Sequence, residues 1–357
     1  VAWLFLESYY DGSHRHLVDG LVEHICPGSE LWTLPGRKWK WRMRGAALEF
    51  AHRLELERPD AEGIFVTSLT NAAELRGLLA AKGLDRPIAV YFHENQLAYP
   101  IQHFDQRDHH FAWTNLHSAL VADRLAFNSR FNLESFLEGM ASVIRKMPDA
   151  RPGWVLDRIR KRAEILPVPI ENPPELPSSR TGACHIVWNH RREFDKGAET
   201  LLFAVQALTA SGLDFRFSLL GQEFESRPPV FDEIVSALGS RLAHEGFVES
   251  REAYWQLLHT ADVALSTAQH EFQGLAVLEA CAAGATPLVP DGLAYRELFD
   301  EDWRYRDEND LVDRLLQRVR DVDRTRATDP GPVAREFTWS ALAPRWEKFL
   351  RPVNGSA

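Results

Sequence analysis

The sequence predicts an α/β protein of two Rossmann-like domains, each a parallel sheet flanked by helices. Three observations carry this. Short apolar runs alternate with segments of helical spacing along the chain, the pattern of parallel sheets covered on both faces. The length, 357 residues, exceeds what one hydrophobic core usually holds. Near the midpoint, Pro167-Val168-Pro169-Ile170-Glu171-Asn172-Pro173-Pro174-Glu175-Leu176-Pro177-Ser178-Ser179 is too rich in proline to continue a helix or a central strand. It reads as a stiff linker. The expected division is an N-terminal domain over 1–172, a linker over 173–181, a C-terminal domain over 182–335, and a C-terminal helix over 336–357 that crosses back to the first domain and ends in a fraying tail from Arg351.

In chain order, strands are expected at Trp3–Leu6, Ile64–Thr67, Ile88–Phe92, Leu125–Phe127 and Ile165–Val168, then at Ile186–Trp188, Phe215–Leu220, Ala261–Ser266 and Thr286–Val289. Each is a short apolar run bounded by polar or turn residues. Helical spacing marks Leu17–Ile25, Leu116–Ala122, Ala198–Leu208 and Leu311–Val319. Ligands of open parallel sheets bind beyond the carboxyl ends of the strands, so the two domains are expected to face each other across a cleft that holds the site.

Composition narrows the class. A hydrophobic content of 45% and a charged content of 26% are those of an ordinary globular protein. No apolar run approaches the roughly 20 residues that span a bilayer, so no membrane partner is expected. The opening Val1-Ala2-Trp3-Leu4-Phe5-Leu6 is too short for a signal-peptide core, lacks a basic flank, and reads as a buried strand. Cys26, Cys184 and Cys281 are too far apart for a metal cluster and suit a reducing cytoplasm, with Cys281 as a small apolar core residue. The net charge of −10 argues against bulk nucleic-acid binding but says little about a local patch.

Four polar clusters follow expected strand ends. Ser8-Tyr9-Tyr10-Asp11-Gly12-Ser13-His14 places Gly12 and Ser13 where backbone can approach a ligand; a plain strand-to-helix turn with Ser13 as N-cap fits equally. Phe92-His93-Glu94-Asn95-Gln96 follows an apolar strand without the residues a mere turn favours. In Asn189-His190-Arg191-Arg192-Glu193-Phe194-Asp195-Lys196-Gly197, the cations Arg191 and Lys196 bracket a turn into a helix, against its dipole. An anion between them resolves the conflict, gripped by Arg and balanced by Lys. In the fourth cluster, Glu271 precedes Phe272, Gln273, Gly274 and Leu275 at a helix start, and Glu279 falls about one and a half turns into that helix. Acidic residues are common at helix starts. With phosphate attracted to the same N–H groups, two carboxylates that bind hydroxyls suit a nucleotide sugar, with a diphosphate in the middle and a sugar at either end.

The second half resembles the donor domain of a GT-B glycosyltransferase of the retaining family 4 kind: an Arg-to-Lys-Gly clamp, a Gly246-Phe247-Val248 segment, then glutamate, seven residues, glutamate. His190 stands where that family usually has Gly. The resemblance narrows with Leu34-Pro35-Gly36-Arg37-Lys38-Trp39-Lys40-Trp41-Arg42-Met43-Arg44, Phe92–Pro100, Phe127–Phe136 and Pro148-Asp149-Ala150-Arg151-Pro152, which together are similar to the tRNA-queuosine mannosyltransferase family over nearly the whole chain. It implies a GT-B fold, GDP-mannose as donor substrate with no cofactor, and a cyclopentenediol hydroxyl of queuosine in a tRNA anticodon as acceptor. It also implies that Arg191 and Lys196 neutralise the diphosphate and that Glu271 and the backbone near Gly274 hold the transferred sugar. Glu279 would bind ribose, His93 would stand beside the reacting sugar, and the Gly12 loop would approach the diphosphate.

The residues permit an RNA partner independently. Arg37, Lys38, Lys40, Arg42 and Arg44 interleave with Trp39 and Trp41, cations for phosphates and indoles for unpaired bases; Arg158, Arg160, Lys161 and Arg162 could extend the patch. A solvated helix start with two core tryptophans is the plainer alternative. No metal is expected, since the clamp cations can take its place. Two rival functions stay open on sequence alone: a GT-B transferase with another sugar nucleotide and a lipid, glycan or small-molecule acceptor, or a non-catalytic module that binds RNA or nucleotide sugars.

Overall fold

The computed structural model describes residues 2–98, 109–175, 180–222 and 228–351. Tyr99 and Pro100 of the expected acceptor loop, 176–179 of the expected linker and the tail beyond Arg351 lie outside them. By contact density the chain divides into Val1–Pro169 with Leu342–Ala357, and Ile170–Ala341. Each unit is built on one parallel sheet.

In the first unit the strands are β1 (Trp3–Tyr10), β2 (Glu30–Pro35), β3 (Gly63–Thr67), β4 (Ile88–Phe92), β5 (Arg124–Phe127) and β6 (Ala163–Ile165), in the order β2-β1-β3-β4-β5-β6. The central strands β3 and β4 are buried at every position, as a parallel sheet covered on both faces requires. Helices α1 (Gly12–Gly20), α2 (Trp39–Glu57), α3 (Ala72–Ala80), α4 (His109–Val121), α5 (Arg130–Arg145) and α6 (Trp154–Arg162) connect them. Side chains cap the helices where the loops leave the strands: Asn71 accepts from the Glu74 N–H, and Ser129 from the Asn132 N–H, each satisfying an orphan donor. Asp11, rather than Ser13, caps α1, accepting from Gly12 at 2.8 Å. The helix therefore starts ahead of the expected Leu17, and its last part, Leu21–Ile25, widens into a π turn.

In the second unit β7 (Cys184–Asn189), β8 (Phe215–Leu220), β9 (Leu242–Gly246), β10 (Val263–Leu265), β11 (Thr286–Pro290) and β12 (Arg304–Tyr305) form the order β12-β11-β10-β7-β8-β9. The helices between them are α7 (Ala198–Ala210), α8 (Val230–Leu238), α9 (Arg251–Thr260), α10 (Leu275–Ala282) and α11 (Tyr295–Leu298), followed by α12 (Glu308–Arg320), α13 (Val322–Ala327) and α14 (Gly331–Arg335). A last helix, α15 (Trp339–Phe349), belongs from Leu342 onward to the first unit. The residues expected as a strand at Ile165–Val168 pair only at their start, in β6; Ile170 instead bridges Thr338. Trp346 of α15 packs on Phe65 and Tyr91 and donates to the Pro167 carbonyl.

Each sheet has one point where strand order reverses, between β1 and β3 and between β7 and β10. Crevices at such points are where doubly wound sheets hold ligands. The loops after β1, β4, β7 and β10 carry the four polar clusters singled out above. Among the described residues no helix is long and apolar enough to cross a membrane, and the three cysteines are free and buried.

Candidate active site

In the second unit the chain leaves β7 at Asn189 and turns into α7 at Gly197. Gly197 has φ +66, and a Cβ there would lie 2.0 Å from the Thr267 carbonyl oxygen, so only glycine fits. The Thr267 hydroxyl donates to the Lys196 carbonyl at 2.8 Å and accepts from Trp188 Nε1 at 2.9 Å. Lys196 is thereby fixed, only 7% exposed. Its Nζ donates to the His270 carbonyl at 2.8 Å and stands 3.2 Å from Asp195 and 3.6 Å from Glu271. Glu271 accepts from the Phe272 and Gln273 N–H groups at 3.1 and 3.4 Å. Burial opposes ionisation of its carboxyl, but Lys196, His190 and the backbone N–H groups outweigh it and hold the pKa down to about 2. Glu271 is therefore a carboxylate at neutral pH, able to accept from hydroxyls. Gly274 (φ +80) leads into α10 with no side-chain cap; a Cβ there would strike the Tyr295 ring at 2.6 Å. Uncapped N–H groups and their dipole make this helix start a place for an anion.

Arg191 is exposed and paired with Glu193 at 3.1 Å. His190, standing where glycine is usual, lies buried edge-on to Trp188. Burial and the nearby Lys196 lower its pKa to about 3, so it adds no charge at neutral pH. Glu279 belongs to a neighbouring group: it is paired with Arg251 and accepts from the Tyr254 hydroxyl at 2.7 Å, which in turn accepts from Asn189 at 2.8 Å. Gly246 (φ +103) ends β9 and Phe247 is 58% exposed. Arg251, Tyr254 and Asn189 were not expected from sequence. Arg251 carried the signal that marked Arg191 and Lys196, a cation in the first turn of a helix; Tyr254 and Asn189 carried none.

In the first unit, His93 follows β4 and is buried, with neither ring nitrogen hydrogen-bonded. Burial, then the neighbouring His14 and His16, push its pKa well below the usual range. The His14 ring stacks on it with centroids 4.1 Å apart. Glu94 accepts from the Ser68 hydroxyl at 2.7 Å and contacts His14. Asn95 is fully buried: its amide donates to Asn132 and Ser135 and its oxygen accepts from Leu97 and Ala98. It holds the loop in shape rather than reaching outward, while Gln96 is half-buried. Gly12 is exposed and Ser13 half-buried at the start of α1. Sequence reading passed over His14 and Glu7 because each, taken alone, resembles an ordinary strand-end or helix residue.

The basic patch forms the start of α2. Trp41 is 76% exposed, whereas Trp39 is half-buried against Phe111, 5.1 Å between centroids. One indole is thus open to solvent and the other packed, so only Trp39 fits the expectation of a core tryptophan. Arg37, Lys38, Lys40 and Arg44 are exposed, and Arg42 donates to the Pro35 carbonyl. Of the second basic stretch, Arg158 and Lys161 are exposed, Arg160 pairs with Glu134, and Arg162 donates to the Leu120 and Ala122 carbonyls. Among the described residues no group of three or more His, Cys, Asp or Glu could hold a metal ion.

Two doubly wound parallel sheets, the second ending in a lysine–carboxylate cluster before an uncapped helix, are the architecture of a GT-B glycosyltransferase. Solved structures agree in fold. Sucrose-phosphate synthase from Thermosynechococcus elongatus matches with TM-score 0.73 and 15% identity over 100% of both chains. Anabaena HepE in complex with UDP matches with TM-score 0.69 and 13% identity, over 98% of this chain and 99% of that one. Residues 2–170 match the family model described as tRNA-queuosine alpha-mannosyltransferase N-terminal. The chain is 36% identical to the Drosophila melanogaster tRNA-queuosine alpha-mannosyltransferase over 324 residues, 87% of this chain and 85% of that protein. It is 33% identical over 113 residues, 31% of this chain and 28% of the relative, to a Mycobacterium tuberculosis GDP-mannose-dependent alpha-(1-6)-phosphatidylinositol dimannoside mannosyltransferase. The chain belongs to the tRNA-queuosine alpha-mannosyltransferase family.

Proposed function

We propose that the protein transfers mannose, with retention of configuration, from GDP-mannose to a cyclopentenediol hydroxyl of queuosine in a tRNA anticodon, in the cytoplasm. One observation carries the donor side of this reading: Lys196 is buried beside Glu271 in front of an uncapped helix start, in a chain of this family.

In the proposed reaction, the bond between the mannose anomeric carbon and the β-phosphate oxygen breaks. The electron pair leaves with GDP, and Lys196, Arg191 and the N–H groups at the start of α10 stabilise the growing charge. The acceptor hydroxyl attacks the same face, and its proton passes to the departing phosphate oxygen. Glu271 accepts from mannose hydroxyls. Glu279, already oriented by Arg251 and Tyr254, accepts from ribose. His93 is uncharged at neutral pH, so one ring nitrogen is a donor and the other an acceptor, and one of the two serves a sugar hydroxyl near the reacting carbon. Gly12 and Ser13 serve the diphosphate with their backbone. The exposed cations of Arg37–Arg44 and the open face of Trp41 hold tRNA by phosphate contact and base stacking, and Glu94 and Gln96 lie on the acceptor side.

The test is incubation with a panel of labelled sugar nucleotides and with queuosine-bearing or queuosine-lacking tRNA, followed by nucleoside mass analysis. Mannosylated queuosine from GDP-mannose alone is the expected product. Label appearing on tRNA that lacks queuosine, or from a different donor only, would overturn the assignment.

A further inference from the structure

The first unit contains a buried ion cluster, two of whose members, Glu7 and His14, have no part in the transfer reaction as proposed. His14, on the first turn of α1, lies between two carboxylates: its Nδ1 is 3.2 Å from Glu7 and its Nε2 3.1 Å from Glu94. Glu7 also accepts from the Thr67 hydroxyl at 3.1 Å and from the Tyr9 N–H at 2.8 Å. Glu7 is fully buried, and His14 is nearly so. Both His14 nitrogens are therefore committed, and one face of its ring is stacked on His93. The Tyr91 ring closes on His93 edge-on at 4.9 Å, and Asn128 donates to the His93 carbonyl at 2.8 Å.

Burying a charged trio is expensive, and apolar residues of similar volume would pack the site at lower cost. An arrangement of this kind is explained by what it holds in place. We propose that His14, gripped by Glu7 and Glu94, is a positioning residue of the transfer reaction: it fixes the plane of the His93 ring so that one of its unpartnered nitrogens meets a sugar hydroxyl. This rests on the reading of His93 given under Proposed function, with the Glu94 carboxylate serving here as a grip on His14.

The charge on His14 serves the same end. Burial opposes it, but Glu7 and Glu94 outweigh burial and hold the pKa up to about 10. The groups that face His14 are Glu7 on β1, Glu94 and His93 beyond β4, and Tyr9, whose ring lies edge-on at 5.8 Å; His16, on the same helix, acts on His93. A cation stacked on His93 disfavours a second proton there. His93 then stays a neutral donor and acceptor across the physiological range.

The experiment compares the unaltered chain with His14→Gln and Glu7→Gln, using queuosine-bearing tRNA and GDP-mannose, with GDP affinity and thermal melting measured alongside. His14→Gln is expected to lower kcat about 10²-fold, as a small misplacement of a reacting partner does, while KM for tRNA and GDP affinity stay within about twofold, the split expected of an interaction made in the transition state. Glu7→Gln removes one carboxylate that holds the proton on His14, so the alkaline limb of the kcat–pH profile should move from near pH 10 toward neutrality. A merely structural His14 leaves that limb where it is. Equal kcat in His14→Gln, or an unmoved alkaline limb in Glu7→Gln, overturns the inference. If His14→Gln does not fold, Glu7→Gln decides. If neither folds, the unaltered chain decides: an alkaline limb below about pH 8, well short of a raised histidine pKa, overturns it. An unaltered chain that transfers no mannose would refute the Proposed function and this inference with it. Transfer by the unaltered chain and by His14→Gln at equal rates would refute this inference alone.

Discussion

Both units place a buried cation between two carboxylates at the carboxyl end of a sheet. In the first the trio is Glu7, His14 and Glu94; in the second it is Asp195, Lys196 and Glu271. The two differ in how closed they are. Both nitrogens of His14 are taken, and the charge faces inward. Lys196 donates one hydrogen bond to the His270 carbonyl and lies 3.6 Å from a half-buried Glu271 that leads into an uncapped helix start. On the proposed reading, the same motif of charge serves as internal scaffolding in one unit and as a docking point for an anion in the other. What decides is how much donor capacity the surrounding backbone leaves over.

The comparison breaks most sharply at Lys196. Lys196→Ala is expected to reduce kcat by about 10²–10³, the usual loss for one group that stabilises developing charge, and to weaken GDP binding measured by calorimetry. A full rate without Lys196 would remove the second trio from the chemistry. Next in size is Trp41→Ala. Losing one stacked base costs about 1–3 kcal/mol, so Kd for tRNA should rise about 5- to 150-fold with little change in kcat at saturating tRNA. An unchanged Kd would return the patch to plain solvated surface.

Smaller effects sharpen the contrast. Lys40→Ala should lower the slope of log Kd for tRNA against log salt by about 1, measured by titration at several ionic strengths. The closed trio has its own signature. Its histidine pKa is raised when folded, so the stability it supplies is complete below the unfolded value of about 6.5 and is lost as pH rises through about 10. Melting temperature should therefore fall more steeply over that window in the unaltered chain than in His14→Gln. Parallel curves would show that the ring holds no extra proton.

Much of this was legible in the sequence, and the gaps have a physical cause. The interior strands β1, β3, β4, β5, β7, β8, β10 and β11 showed as apolar runs because both faces are covered. The strands at the sheet edges did not: β2, β9 and β12 went unpredicted, and β6 was expected too late in the chain. An edge strand such as Leu242–Gly246 is half-exposed and paired on one side only, so its composition says little. The site shows a similar divide. Lys196 and His93 announced themselves by sitting where a helix start or a turn would avoid them, and Glu271 by its spacing from Glu279 around a helix start. His14 and Tyr254 did not, because their significance comes from partners 80 and 25 residues away, which no local pattern reveals.

The junction of Trp188, Thr267 and Lys196 has a wider consequence. An indole N–H deep in the second core steers a hydroxyl, and that hydroxyl steers the Lys196 carbonyl, with Gly197 pressed against the same threonine's backbone. Redesigning the lysine's own loop would leave this hold on its backbone in place, because the hold comes from beneath. Attempts to alter donor preference should leave this floor untouched and work at the rim, around Arg251, Tyr254 and Phe247.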